Sequence, residues 1–192
     1  MRIRAVVTTF LAVAALAAPA LADDFTDQLD EAKTAYAKHD LGTAQAALNS
    51  ASQLLRQQRV ELWKAVLPDP QPGWKAEDAE GAAAAMALLG GGVSVSRNYR
   101  KDSETVNIEI VTDSPIIASM SGLLNGLITL DGAKLIVMDG HKVTYNKNEN
   151  SYMTMIGDKA LVTVKGQGKV PEDELKTYVK AIKFAEIEKL LK

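Results

Sequence analysis

The spacing of apolar residues changes once along this chain, at the proline-rich segment 67–73, and this change constrains the fold most. Upstream of the segment, apolar residues recur every three or four positions, which is typical of helices. Downstream, they alternate with polar residues, which is typical of strands that bury one face. Because proline cannot continue a helix, Pro68, Pro70 and Pro72 mark the end of the helical part. We therefore predict an α+β fold.

The helical part predicts an antiparallel hairpin. Phe25, Leu29, Ala32 and Tyr36 recur at helical spacing, and a polar break follows at 38–43. The second helix has an apolar face made of Ala44, Ala47, Leu48, Ala51, Leu54, Leu55, Leu62 and Val66. Because one hairpin cannot bury its own apolar face, we expect this face to pack on the rest of the chain or on a partner.

The alternating part predicts an antiparallel sheet of five to seven strands. Strands are expected near residues 93–99, 105–110, 134–138, 141–145, 151–156 and 159–165. Asp139-Gly140 is typical of a two-residue hairpin turn. A short apolar helix is expected to begin at Pro115, and an amphipathic C-terminal helix at Pro171. The predicted domains are a signal peptide (1–22), a helical hairpin (23–67) and a sheet domain (68–192).

Residues 1–22 have the pattern of a secretory signal peptide. Arg2 and Arg4 precede a short apolar run, and the small residues that end at Ala22 are typical of a cleavage site. We expect cleavage after Ala22 and export to the periplasm, with secretion into the medium as an open alternative. Loss of the two arginines changes the formal net charge from −2 to −4. This mildly acidic balance gives no reason to expect nucleic acid as a partner.

Composition and missing motifs exclude several kinds of chemistry. The chain has no cysteine, so disulfides, thiolate metal sites and lipid anchoring through a modified cysteine are excluded. No apolar run is long enough for a transmembrane anchor. Gly90-Gly91-Gly92 lacks the Lys-Ser/Thr that follows in a phosphate-binding loop, and no serine has the glycines of a nucleophile elbow. We expect no cofactor.

Two resemblances follow from the order of elements and from short motifs. Residues 74–192 resemble the fold of PsbP-type extrinsic proteins of photosystem II, in which a hairpin, a short helix, a strand meander and a final helix follow one another. The whole chain resembles a group of uncharacterised proteobacterial periplasmic proteins. That likeness rests on Leu67-Pro68 with Pro72-Gly73-Trp74, on residues 90–97, and on Thr112-Asp113-Ser114-Pro115. The proteobacterial group carries no assigned activity, whereas the PsbP-type resemblance implies a non-enzymatic accessory or binding role.

Two apolar segments, 81–92 and 115–127, form the first candidate site. A helix apolar on nearly every side is either buried or part of a binding patch. The first possibility is burial beneath the helical hairpin. The second is a groove that receives a protein partner or an amphiphile. The groove residues are Met86, Leu88, Leu89, Ile116, Ile117, Met120, Leu123 and Leu124.

A soft-metal site is the alternative. Met153 and Met155 share one strand face, while Met138 and His141 flank a neighbouring turn. Thioethers with an imidazole suit Cu(I), although methionine more often fills gaps in a core. A hydrolase, the third alternative, would need His141 beside a serine and a carboxylate. We therefore expect a non-catalytic exported binding or accessory protein.

Overall fold

The computed structural model describes residues 20–82, 91–115, 117 and 132–192, with the backbone alone for 20–23. The chain divides into two compact units, Met1–Leu54 and Leu55–Lys192. Helix α1 spans Ala20–Ala37 and helix α2 spans Leu41–Ala65. Residues of α2 therefore belong to both units.

The first unit contains a helical hairpin whose buried residues are alanines. They are Ala32 and Ala35 on α1, and Ala44, Ala47 and Ala51 on α2. Such small side chains allow two helices to approach closely. Asp40 caps α2, because its carboxylate accepts hydrogen bonds from the Thr43 backbone N–H (3.0 Å) and the Thr43 hydroxyl (2.7 Å). These hydrogen bonds lower the pKa of Asp40.

The second unit contains an antiparallel sheet with eight strands among the described residues. Two of them have two residues each, β1 (Lys75–Ala76) and β2 (Glu80–Gly81). The longer strands are β3 (Val93–Lys101), β4 (Glu104–Thr112), β5 (Ala133–Met138), β6 (His141–Asn146), β7 (Ser151–Ile156) and β8 (Ala160–Gln167). Their order is β1-β3-β4-β8-β7-β6-β5, with β2 also paired to β3. The α+β prediction is confirmed, and the two short strands take the count above the expected five to seven.

Two short helices end the chain where the sequence pattern predicts one. Helix α3 spans Glu172–Lys180 and helix α4 spans Phe184–Leu190. The break lets both Ile182 and Phe184 enter the core. In a continuous helix, residues two positions apart point about 200° away from each other, so only one of them could be buried.

One face of the sheet is covered and forms the core. Alternate strand residues contribute Val95, Tyr99, Ile108, Ile110, Val143, Tyr152, Ile156, Val162 and Val164. The covering residues include Val60, Trp63 and Leu67 at the end of α2, with Leu175, Tyr178 and Ile187 from α3 and α4. The other face, here the outer face, carries the intervening residues of the same strands, because successive side chains of a strand point to opposite sides.

The proline-rich segment is fixed to the core by hydrogen bonds. The Tyr99 hydroxyl donates to the carbonyl oxygen of Pro68 at 2.6 Å. Trp74 Nε1 donates to Glu174 Oε2 at 2.8 Å, and Lys101 Nζ donates to Glu174 Oε1 at 2.9 Å. The hydrogen bond from Lys101 lowers the pKa of Glu174. The segment that ends the helical part therefore also joins β3 to α3.

Candidate functional site

Of the predicted apolar site, one residue can be placed. Ile117 is buried, 2% exposed, against Leu161 and beside Val111, Met153 and Met155 on the outer face. We call these five residues the outer-face cluster. The remaining seven site residues lie outside the described part of the chain: Met86, Leu88, Leu89, Ile116, Met120, Leu123 and Leu124. The apolar groove built from them stays a prediction.

The sheet separates the four proposed copper ligands into two pairs. Met138 and His141 lie opposite each other in the β5–β6 hairpin, on the covered face, where His141 stacks on Phe184 with ring centroids 4.1 Å apart. Met153 and Met155 belong to the outer-face cluster. Because one ion cannot reach both faces, a metal site would have to rely on one pair alone. Both pairs pack against apolar side chains, which is the common use of methionine.

Two clefts lined mainly by charged and hydroxyl-bearing residues lie within the described residues. One, of about 200 Å³, is on the outer face, where the Ser94 hydroxyl donates to Glu109 Oε1 at 2.9 Å. The other, of about 370 Å³, lies in the helical hairpin and is lined by Asp30, Glu31, Thr34, Ala35, Lys38, Asp40 and Thr43. Ser94 and His141 are on opposite faces of the sheet, so they cannot form the serine–histidine pair of acyl transfer. Among the residues described, no three His, Asp or Glu side chains are grouped as a metal site requires.

A row of exposed leucines on α2 is a feature that the sequence analysis did not separate from the rest of the apolar face. Leu41, Leu48, Leu55 and Leu62 are 64%, 46%, 45% and 56% exposed. The expected apolar face therefore divides into a buried alanine stripe and an exposed leucine row, which we call the leucine ladder. The signal was present in the sequence, because the four leucines are spaced seven residues apart.

The leucine ladder has the geometry of a helix-binding seam. Three intervals of seven residues extend about 31 Å along the helix axis. A seven-residue repeat drifts by about 20° per interval on a straight helix, so it matches a second helix that wraps with a left-handed twist. The first 15 residues of α2 carry no charged side chain, whereas Arg56, Arg59, Glu61 and Lys64 follow in the last ten. Arg59 is engaged by Asp113 at 2.5 Å.

Comparisons with known proteins identify no relative of this chain. Among the described residues, no helix combines the length and apolarity needed to cross a membrane. The resemblance to PsbP-type and proteobacterial periplasmic proteins stays a prediction. No family model, curated protein or solved structure matches this chain.

Proposed function

We propose that this protein is an exported, non-catalytic binding protein that docks an amphipathic helix of a protein partner on the leucine ladder of α2. The observation that carries the proposal is the exposure of four leucines in one seven-residue register. Export is proposed from the signal-peptide pattern of residues 1–22.

The energetics favour a partner over a solvated ladder. Full burial of a leucine side chain contributes about 1.5–3 kcal/mol. Each ladder leucine is about half exposed, so covering it would contribute about 1 kcal/mol. Single exposed leucines are ordinary on protein surfaces, but four that share one side of the same helix favour an interaction site.

The ladder also indicates the kind of partner. A helix with apolar residues at the first and fourth positions of each heptad places its side chains between successive leucines. Because α2 is uncharged from Leu41 to Leu55, that part of the ladder offers no ion pair. Binding of the partner helix to that part would depend on apolar packing and shape. Ion pairs with the partner could form only at the end of α2 that begins at Arg56.

The experiment places a photoreactive residue at position 48 or 55 of the protein in its own cell envelope. The matched control carries the same residue at Gln53, which is exposed on α2 about 200° around the helix from Leu55. We expect one defined protein adduct at positions 48 and 55, mapping to a helical segment of heptad pattern, and none at 53.

A second arm uses charge. With the photoreactive residue at ladder position 62 instead, we expect the same adduct, and Leu48→Lys with Leu55→Lys should abolish it while the protein stays folded. Gln53→Lys with Gln57→Lys adds the same charge elsewhere on α2 and should leave the adduct intact. Equal adducts at 53 and 55, or an adduct that survives the leucine substitutions, would contradict the proposal. A lipid adduct would show that the ladder binds an amphiphile instead of a protein partner.

A further inference from the structure

The two edges of the sheet differ in how they are protected. At one edge, β3 is covered by the two-residue strands β1 and β2. At the other edge, β5 has six residues, contains no proline, and pairs only with β6 among the described residues. A long, regular and apolar edge strand is a template for pairing with another strand.

The hairpin turn determines which backbone groups of β5 point away from β6. Asp139 and Gly140 have φ of 48° and 81°, as a type I′ turn requires. Such a turn hydrogen-bonds its flanking residues, here Met138 and His141. Bonded and non-bonded pairs then alternate along an antiparallel ladder. Ala133, Leu135 and Val137 therefore direct their N–H and C=O groups toward the free edge.

The side chains of these edge residues are exposed and apolar. Leu135 is 48% exposed and Val137 is 72% exposed, both on the outer face. The charges of the strand lie at its two ends, with Lys134 near the start and Asp139 just beyond the end. An antiparallel copy of the same strand therefore presents opposite charge at each end, whereas a parallel copy presents like charge.

We propose that β5 pairs antiparallel with β5 of a second copy of this chain, with Leu135 opposite Val137 of the partner subunit. The two-fold axis then passes between Ile136 and Ile136 of the partner subunit. Leu135 and Val137 exchange four backbone hydrogen bonds across the junction, and Lys134 lies opposite the partner's Met138, one residue from the partner's Asp139. The residues that bond across the junction, Leu135 and Val137, have their side chains on the outer face. The outer faces of both copies therefore lie on the same side of the joined sheet. The pairing is independent of helix docking on the leucine ladder.

The association is weak and depends on concentration. One strand pair buries less than the ~1,200 Å² that is usual for a stable complex. The measurement is sedimentation of the purified protein over a wide concentration series. We expect a reversible monomer–dimer equilibrium, and a monomer at every concentration would overturn the proposal.

Val137→Pro is the sharpest variant, because it removes an N–H that points to the free edge and leaves the β5–β6 bonds in place. It should raise the dimer dissociation constant about tenfold or more. Val137→Thr keeps the N–H and should dimerise like the original protein. Lys134→Glu, which places like charges together, should also weaken the dimer, and Lys134→Arg should not. Unchanged dimerisation of both Val137→Pro and Lys134→Glu would overturn the proposal.

A cysteine variant tests the register directly, since the chain has no cysteine. Residues 136 of the two copies form a non-bonded pair with Cα atoms about 4.5 Å apart, within the range that a disulfide spans. With oxidised glutathione, Ile136→Cys should form a covalent dimer and Lys134→Cys should not. Equal crosslinking of both variants would contradict the register. Leu48→Lys with Leu55→Lys should leave the dimer unchanged, which separates this inference from the proposed function.

Discussion

Gly81 provides the most direct test of how α2 packs on the sheet. A Cβ atom added at Gly81 would lie 2.1 Å from Val60 Cγ1 and 3.3 Å from Lys64 Cε. Carbon atoms in contact are about 3.5–4.0 Å apart, so Gly81→Ala must displace Val60 or shift β2. Val60 is buried in the core, 7% exposed. Overpacking of this kind lowers the free energy of unfolding by about 1–3 kcal/mol.

Val60→Ala removes the clashing methyl group and leaves the Val60 Cβ position 3.4 Å from the new Cβ. Alone, this change should cost about 1–2.5 kcal/mol, because it removes two buried methyl groups. We expect the double variant to be about as stable as Val60→Ala alone, which corresponds to a coupling energy equal to the cost of Gly81→Ala, about 1–3 kcal/mol.

The assay is urea unfolding of the four proteins in this cycle, followed by circular dichroism. Gly42→Ala is the matched control, since Gly42 lies in α2 and an added Cβ meets only Asp40 Oδ1 at 3.7 Å. It should be neutral or stabilising by up to about 1 kcal/mol. A neutral Gly81→Ala, or effects that add within about 0.5 kcal/mol, would refute the reasoning.

Trp74→Phe should lower the free energy of unfolding by about 1.5–3 kcal/mol in urea titrations, because the indole N–H bonds the ionised carboxylate of Glu174; a loss below about 0.5 kcal/mol would contradict this. The hydrogen bond from Lys101 lowers the pKa of Glu174 below its ordinary 4.5, so its stabilisation is complete above that pH and is lost as pH falls through the lowered value. Thermal unfolding between about pH 5 and pH 3 should therefore decline less steeply in Glu174→Gln, and parallel curves would count against the pair. Gly92 has φ of 99° and its added Cβ would lie 2.2 Å from a backbone carbonyl oxygen of β4, so Gly92→Ala should cost about 2–4 kcal/mol by the same assay. Gly91→Ala, with φ of 110° and no atom of the described residues within 4 Å of the added Cβ, should cost about 1 kcal/mol, and equal losses would exclude the clash as the cause.

Elements that depend on local chemistry were predictable. Asp139-Gly140 predicts a type I′ turn, because both residues tolerate positive φ, and the backbone adopts it. The alternation over 105–110 predicts β4, whose buried residues include Val106, Ile108 and Ile110. The prolines of 67–73 predict the end of α2, which stops at Ala65.

Other features needed the packed structure. The buried alanines and the exposed leucines of α2 lie three or four residues apart along the sequence, so both fit one apolar face. Periodicity alone therefore does not show which of the two rows is buried. The break between α3 and α4 was missed because Ile182 and Phe184 have to enter one core together. The separation of the four proposed copper ligands onto two faces appears only when the faces of β6 and β7 are known.

By itself, the sequence determined the α+β class, the order of α1, α2 and the six longer strands, and the turns of the hairpins, because each depends on neighbouring residues. Only the tertiary structure decided that the leucine ladder is exposed while the alanine stripe is buried. It also decided that β5 is the last strand of the sheet among the described residues, since strand order depends on pairing between distant segments. Both surfaces that we propose for binding follow from this second kind of information.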